Sequence, residues 1–560
     1  YGQGSAGGML NLVSKRPTAE PVREIQLQVG TDARKQVAGD VSGAIDDEGK
    51  LLYRVTGLAR DAQLHLASLP DDRFFIAPAL TWKPSADTSL TVLSHVLRSR
   101  SGTTWQGYPI QGTLLPNPNG PIPLSTFLGE PGLNHFNQDQ WMVGYLFEHR
   151  LGTQWTFRQN ARYGRMDQSY LDIQSFGGFQ VVNPGNPSDP ANFRLRVRGF
   201  NRTKEDARTL SIDNQAEARI TAGDWRHTVL VGIDHQRTRY GTETYGGGAV
   251  PPIDVYAPVH GAPTTFPNLL LASSDIRLDQ TGIYAQDQVK FGDRWVATIG
   301  GRLDRATADR TNRLTGAARK HSDDKFSGRA GLVYLHPSGL APYVSYAESF
   351  SPSTTVDPAT NDLFDPEIGS QSELGLRYQP PGSRNSYTVS VYNLKRRNYV
   401  TYDFSVTPFV PRQTGEITVQ GLEIEALFQP MPALNVVAGF SHTPKADVTR
   451  SSSPGEVGKQ YLPVSRNQAS VWADYRFAGG LKIGVGARYV GSNNGILEMA
   501  PVPVPGYTLV DALVGYDIDR WSLALNVRNL ANKRYIGLCD PGHCYYGDPR
   551  QVTATATYRF

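Results

Sequence analysis

Apolar and polar residues alternate one for one over long stretches of the chain. In Leu481-Lys482-Ile483-Gly484-Val485-Gly486-Ala487-Arg488-Tyr489 the odd positions are apolar and the even ones are Lys, Gly or Arg. A period of two places the first set on one face of a strand and the second on the other. Val471, Ala473, Tyr475 and Phe477 alternate in this way with Trp472, Asp474 and Arg476, and Trp521, Leu523, Leu525 and Val527 with Ser522, Ala524, Asn526 and Arg528. At the other end of the same region Val552, Ala554, Ala556, Tyr558 and Phe560 are set against Thr553, Thr555, Thr557 and Arg559. The pattern predicts an all-β protein made of many amphipathic strands.

The charges decide which face meets what. In a water-soluble sandwich the apolar face is the core, whereas in a transmembrane barrel it meets lipid and the interior is polar. Arg302, Asp304, Glu373, Arg377, Glu423, Glu425 and Arg488 recur in mid-strand, which a polar lumen accommodates. As lumen charges they contact a plug or water. Glu423 and Glu425 merely share a face of a wide lumen and receive no catalytic role. Tyr489, Tyr507, Tyr516, Trp521 and Tyr558 stand near strand ends, as interfacial girdles require.

The connections fall into two kinds. Asp46-Asp47-Glu48-Gly49-Lys50, Pro337-Ser338-Gly339 and Ala478-Gly479-Gly480 are terse, while Ser99 to Gln140 and Tyr240 to Asp275 are long and rich in Pro, Gly and aromatics. Short turns at one end and long loops at the other characterise bacterial barrels. With strands of about ten residues, this length supplies about 22 strands, the size of a plugged barrel and not of an open porin.

Composition narrows the alternatives. Among 560 residues only 39% are hydrophobic, and no run approaches the length of a membrane helix, which leaves a strand-built barrel untouched. No linker-like break divides the chain. A net charge of +4 from scattered Lys and Arg gives nucleic acid no footprint. Cys539 and Cys544 flank a loop-like stretch with Pro541 and Gly542. Such a pair points to a small disulfide-closed loop and an oxidising compartment, since a metal site would need ligands that locally only His543 supplies. His95, His135 and His235 read as wall or loop residues, and no metal site is expected.

Gly2, Gly4 and Gly7 show the spacing of a dinucleotide-binding turn. That fingerprint needs a strand before it and a helix after it. Met9 to Ser14 is too short for a helix before Lys15-Arg16-Pro17 and reads as a short strand, so the glycines form a turn.

These residues carry a family resemblance over essentially the whole chain. Tyr1-Gly2-Gln3-Gly4-Ser5-Ala6-Gly7-Gly8, Asn11-Leu12-Val13 and Lys15-Arg16-Pro17 look like the end of a plug domain. The stretches 280–291 (QTGIYAQDQVKF), 300–305 (GGRLDR), 341–353 (APYVSYAESFSPS), 412–426 (RQTGEITVQGLEIEA) and 527–535 (VRNLANKRY) look like signature strands. In this order they resemble the TonB-dependent siderophore receptors of the Gram-negative outer membrane. Cys539 to Gly547 with Arg550 to Ala556 is similar to the disulfide-tied final extracellular loop and closing strand of the ferrichrome (ferric hydroxamate) receptor type. Asp540 and His543 stand where that type carries aromatic ligand contacts.

The resemblance implies a large outer-membrane β-barrel over residues 18–560, with residues 1–17 as the C-terminal end of a plug whose greater part lies upstream. It implies a monomer in outer-membrane lipid that binds a ferric siderophore, of hydroxamate type, outside the cell and imports it into the periplasm with energy transmitted by TonB. Another ligand (a catecholate siderophore, haem or a glycan), a passive porin and a barrel enzyme are the alternatives. The enzyme reading lacks a convergent nucleophile and base. No cofactor is expected, because iron arrives saturated by siderophore oxygens and is recognised through aromatic faces and hydrogen-bond donors. Trp105 and Tyr108, within residues 104–112, resemble ligand-facing aromatics of a long loop. Tyr170, Phe176, Tyr240 and Tyr245 are expected to line the same vestibule, and His543 and Tyr545 to border it beside the Cys539–Cys544 loop.

Overall fold

A computed structural model of the chain describes residues 2–4, 7–66, 69–103, 106–358, 362–403, 410–451, 454–461, 463–495, 503–540 and 542–560. Among the described residues, twenty-two antiparallel strands, from Val22–Gly30 to Gln551–Arg559, close into a barrel. The first strand pairs with the last from Glu24 opposite Arg559 to Gly30 opposite Thr553. The ladder closes on itself, which is how a sheet satisfies its backbone in lipid, although Ala318–Tyr334 and Leu340–Ser351 part outward of Arg329 opposite Ala347.

The alternation read from the sequence is the division between outside and lumen. Ile283, Leu303 and Phe326, in register on three neighbouring strands, are about 60% exposed (61%, 57% and 61%). Such exposure of large apolar side chains is expected only of a surface that lipid covers. Between them, the inward Arg302 meets Asp234 and the fully buried Asp304. Rings pair across the strand ends flanking the short turns: Trp225 on Phe291 at 4.4 Å, and Trp295 on Tyr334 and Trp521 on Tyr558 at 4.7 Å. Tyr507 departs from its expected place in a girdle. It shares a face of Tyr507–Ile518 with Asp511, the lumen carboxylate paired with Arg488, and so points inward.

Alternate connections fall at opposite ends, with the turns at 46–50, 337–339 and 478–480 together at one. The long connections are shorter than the sequence indicated, because the strands overrun the bilayer. Trp155–Phe179 has 25 residues and Leu195–Ala222 has 28, against about ten for a crossing. With Trp225–Gly246, their outer halves form a wall carrying Tyr170, Phe176, Tyr240 and Tyr245, and the two long loops contract to 102–134 and 247–268.

Gly2–Gln3 joins the wall sheet, pairing in parallel with Ser349 and Phe350 on the edge that the ladder to Ala318–Tyr334 leaves open. Residues 9–14 are not a strand. Met9, Leu10, Leu12 and Val13 are exposed and no neighbouring strand offers a ladder among the described residues, so the expected short strand has nothing to pair with. Just beyond them the chain is pinned to the lumen wall. Asp40 accepts from Lys15 Nζ at 2.7 Å and from two Arg54 nitrogens at 2.9 and 2.6 Å, and Arg54 Nη1 donates to the Arg16 carbonyl at 2.9 Å. Thr18 N donates to Ser42 Oγ at 2.9 Å. Asp40→Ala is expected to release this tether and speed tryptic cleavage after Lys15 several-fold in the folded barrel. An unchanged rate would show that the anchor lies elsewhere.

Candidate functional site

Two segments singled out in the sequence, more than 400 positions apart, meet at the long-loop end. Tyr108–Pro109 adds a strand to the hairpin of Ile536–Asp540 and His543–Tyr546, which the Cys539–Cys544 disulfide closes. Tyr108 is buried, with its ring 5.1 Å from that of Tyr546 and its hydroxyl donating to the Thr126 carbonyl. Burial pushes its phenol well above the ordinary range. Ile122, Leu128, Ile253 and Val255 complete the cluster around it, so Tyr108 holds the loops together. The His543 ring lies against Gly107, where a methyl group would come within 3.0–3.1 Å of it. Tyr545 donates its hydroxyl to Asp540 Oδ2 at 2.7 Å.

The other candidates divide between two faces of the wall. Tyr170 and Tyr240 point to the lumen side by strand alternation, the first edge-on to Phe136 at 6.1 Å. Tyr245 does not join them. It shares a face with the lipid-facing Ile233, and Arg202 stacks on its ring at 4.5 Å. An odd spacing along one strand puts Tyr240 and Tyr245 on opposite sides. Phe176 stands in the strand Trp155–Phe179, but its side chain lies outside the described residues, as does Trp105.

Two buried polar knots fix this cap. Asp172 Oδ1 accepts from Thr103 Oγ1 at 2.5 Å and from Asn134 Nδ2 at 2.8 Å, joining both ends of the loop 102–134 to the wall. Arg198 pairs with Glu130 at 2.8 Å and donates to the carbonyls of Leu128 and Gly129 at 3.2 Å and of Pro251 at 2.8 Å, while Gly261 N donates to Glu130 Oε2 at 2.8 Å. Both long loops are thereby tied to one wall strand.

Beneath the cap, at the barrel seam, lies a cavity of about 310 Å³ bordered by Arg34, Gln106, Tyr108, Tyr545 and Tyr546. Gln551 and Thr553, which face the lumen by alternation with the lipid-facing Ala554, form its floor. Larger clefts of about 880 and 600 Å³ run along the wall among lipid-facing side chains such as Leu303 and Phe326, or Leu27 and Phe74. Lipid fills such grooves, so the seam cavity is a better candidate for a polar ligand than either of these two.

The family model "TonB dependent receptor-like, beta-barrel" matches residues 81–530. The chain belongs to the TonB-dependent receptor family. Over its full length it is 36% identical to the ferrichrome outer membrane transporter/phage receptor of Escherichia coli (strain K12), covering 77% of that protein. It is 33% identical to the ferrioxamine B receptor of Salmonella typhimurium (strain SL1344), of which it covers 78%. The closed form of the ferric-catecholate import receptor Fiu from E. coli K12 superposes with a TM-score of 0.88 at 21% identity, covering all of this chain and 84% of that one. TonB-dependent receptors of this kind reside in the Gram-negative outer membrane, and the outward apolar face of this receptor is what that location requires.

The knots of the receptor's cap were not foreseen from its sequence. Thr103, Glu130, Asn134, Asp172 and Arg198 lie tens of positions from their partners and belong to no motif. Asp172 is the most sensitive of them. It is fully buried and surrounded by neutral donors, and burial raises its pKa, with the bonds from Thr103, Tyr170 and Asn134 opposing. Such a carboxyl costs nothing while protonated in both folded and open states, and the cost grows once pH passes the ordinary carboxylate value, where the open state ionises first, until it is complete at the raised folded value. The cap is therefore expected to open more readily as pH rises above the ordinary carboxylate range. Native-state hydrogen exchange in residues 102–134, corrected for intrinsic rates, reads this, and Asp172→Asn should abolish the dependence and tighten the cap at neutral pH.

Proposed function

We propose that this receptor imports a ferric hydroxamate siderophore across the outer membrane, driven by TonB. The observation that carries the reading is a gradient of identity over the whole chain: 36% and 33% to the ferrichrome and ferrioxamine B receptors, against 23% to the catecholate siderophore receptor Fiu of E. coli K12. The disulfide-closed hairpin folded over the lumen adds support, since it gives the vestibule a fixed outer rim. In this reading residues 1–17 are the end of the plug, tethered through Asp40, and transport involves no covalent chemistry. Trp105, Tyr170, Tyr240, His543 and Tyr545 contact the ligand or hold the groups that do.

Titrating the receptor by tryptophan quenching with ferric hydroxamates, ferric catecholates and haem tests the proposal. Tight binding of hydroxamates alone is expected, with iron uptake lost in cells lacking TonB, and preference for a catecholate would overturn the ligand class. Trp105→Ala should weaken binding by about 1–3 kcal/mol, the usual effect of truncating an aromatic anchor. Unchanged affinity would remove Trp105 from the site.

A further inference from the structure

Two side chains that border the seam cavity each carry a buried hydrogen-bond donor with no partner among the described residues. Gln106 is 2% exposed, and its Oε1 accepts from Leu128 N at 2.6 Å. That bond fixes the orientation of the amide, because the flipped rotamer would set an NH2 group against an N–H. Nε2 is left without a partner among the described residues. Arg34 uses Nη2 on Gln28 Oε1 at 3.2 Å and on Gln36 Oε1 at 2.9 Å, while its buried Nε is likewise unpartnered. Both side chains border the cavity. Buried donors left unmade cost about 1–3 kcal/mol each, so two in one chamber call for an acceptor.

The charge of the chamber selects the kind of acceptor. Asp32, Asp71 and Asp548 also border it, Asp71 in an ion pair with Arg60. With Asp71 neutralised by Arg60, Asp32 and Asp548 against Arg34 still disfavour an anionic guest, whereas a neutral carbonyl accepts from such a donor without opposing the carboxylates. Tyr108, Tyr545 and Tyr546 supply flat walls for an apolar stem. The volume of about 310 Å³ lies at the small end of ligand pockets, right for a side arm and too small for an iron-bearing core in its ligand cage. We propose that the seam cavity is a subsite for a neutral acyl arm, an amide or hydroxamate carbonyl carried beside the iron centre, and that Gln106 and Arg34 select siderophores bearing one.

This subsite rests on the siderophore reading, and two experiments keep the two separable. Crystals of the receptor soaked with N-methylacetamide, which carries the carbonyl and binds no iron, should place its oxygen within hydrogen-bond reach of Gln106 Nε2 or Arg34 Nε. Water alone at that position overturns the subsite. In quenching titrations, a cyclic ferric trihydroxamate bearing an N-acetylaminobutyl arm should bind at least tenfold more tightly than the bare ring. Gln106→Glu keeps the acceptor for Leu128 N and replaces the donor, and it should bring that ratio to about one. Arg34→Lys should reduce it likewise if Gln106→Glu does not fold, as judged by heat-modifiable gel migration. A ratio still above fivefold in a folded variant overturns the selection. Failure of both complexes to bind refutes the hydroxamate function, while N-methylacetamide in the crystal would still report on the cavity.

Discussion

Glu130→Ala is expected to unlock the cap while the barrel stays closed. The Arg198 guanidinium is 1% exposed and its partner carboxylate 6%. Without Glu130 the guanidinium keeps three backbone carbonyls but faces no counter-charge, and breaking a buried pair on one side costs about 3–5 kcal/mol. That cost falls on the contacts that close the loops 102–134 and 247–268 over the wall, because the twenty-two-strand ladder does not pass through them. Proteolysis within 102–134 should accelerate by two orders of magnitude or more, with the heat-modifiable gel shift of the barrel retained. The double variant Glu130→Met with Arg198→Met should recover most of the protection, since apolar replacement of a whole buried pair is often neutral. Equal protection in Glu130→Ala and wild type would show that the pair does not hold the cap.

The second large effect lies in the lumen wall. Arg302 donates from Nε to both Asp304 oxygens at 2.9 and 2.8 Å and from Nη2 to Asp234 Oδ1 at 2.9 Å, over the Tyr284 ring at 5.5 Å. Gln280 Nε2 adds a bond to Asp304 Oδ1 at 2.9 Å. Arg302→Met would leave two carboxylates, one of them fully buried, without their cation, a loss of about 3–5 kcal/mol in the folded barrel. The guanidinium occupies the space where a β-carbon on Gly282 would stand, 1.9 Å from Nη2. Gly282→Ala should therefore displace it and reproduce much of the effect. Urea midpoints of the refolded protein measure both losses, and a midpoint within error of wild type for Arg302→Met would count against the network.

The barrel was legible because lipid outside and water inside impose a period of two, and a period survives in sequence wherever the strand is regular. Strand number followed from length, and the sorting of turns from their composition. Failures occurred where parity or partner matters and composition does not. Tyr507 has a girdle residue's chemistry but the wrong parity, and Tyr245 has a vestibule residue's chemistry on the outer face. Met9 to Val13 has a strand's pattern without a strand beside it. In the site, the cysteine pair and Tyr108 were visible as local signals, but the third strand they form together was not. The knots around Asp172 and Glu130 and the unspent amide of Gln106 depend on neighbours from distant segments, and nothing local announces them.

The seam between Val22–Gly30 and Gln551–Arg559 also governs the order in which the molecule is made. Glu24 and Arg559, 3.0 Å apart across it, are separated by 535 positions. In an ideal free chain such a closure costs about 6 kcal/mol of entropy, and every other ladder can form before it. A nascent sheet therefore carries two unpaired borders until its final strand arrives. The receptor is consequently a curled ribbon for most of its assembly and becomes a closed ring in one last step. Both borders must be shielded until then, and Gln551–Arg559, only nine residues long, sets the moment of completion.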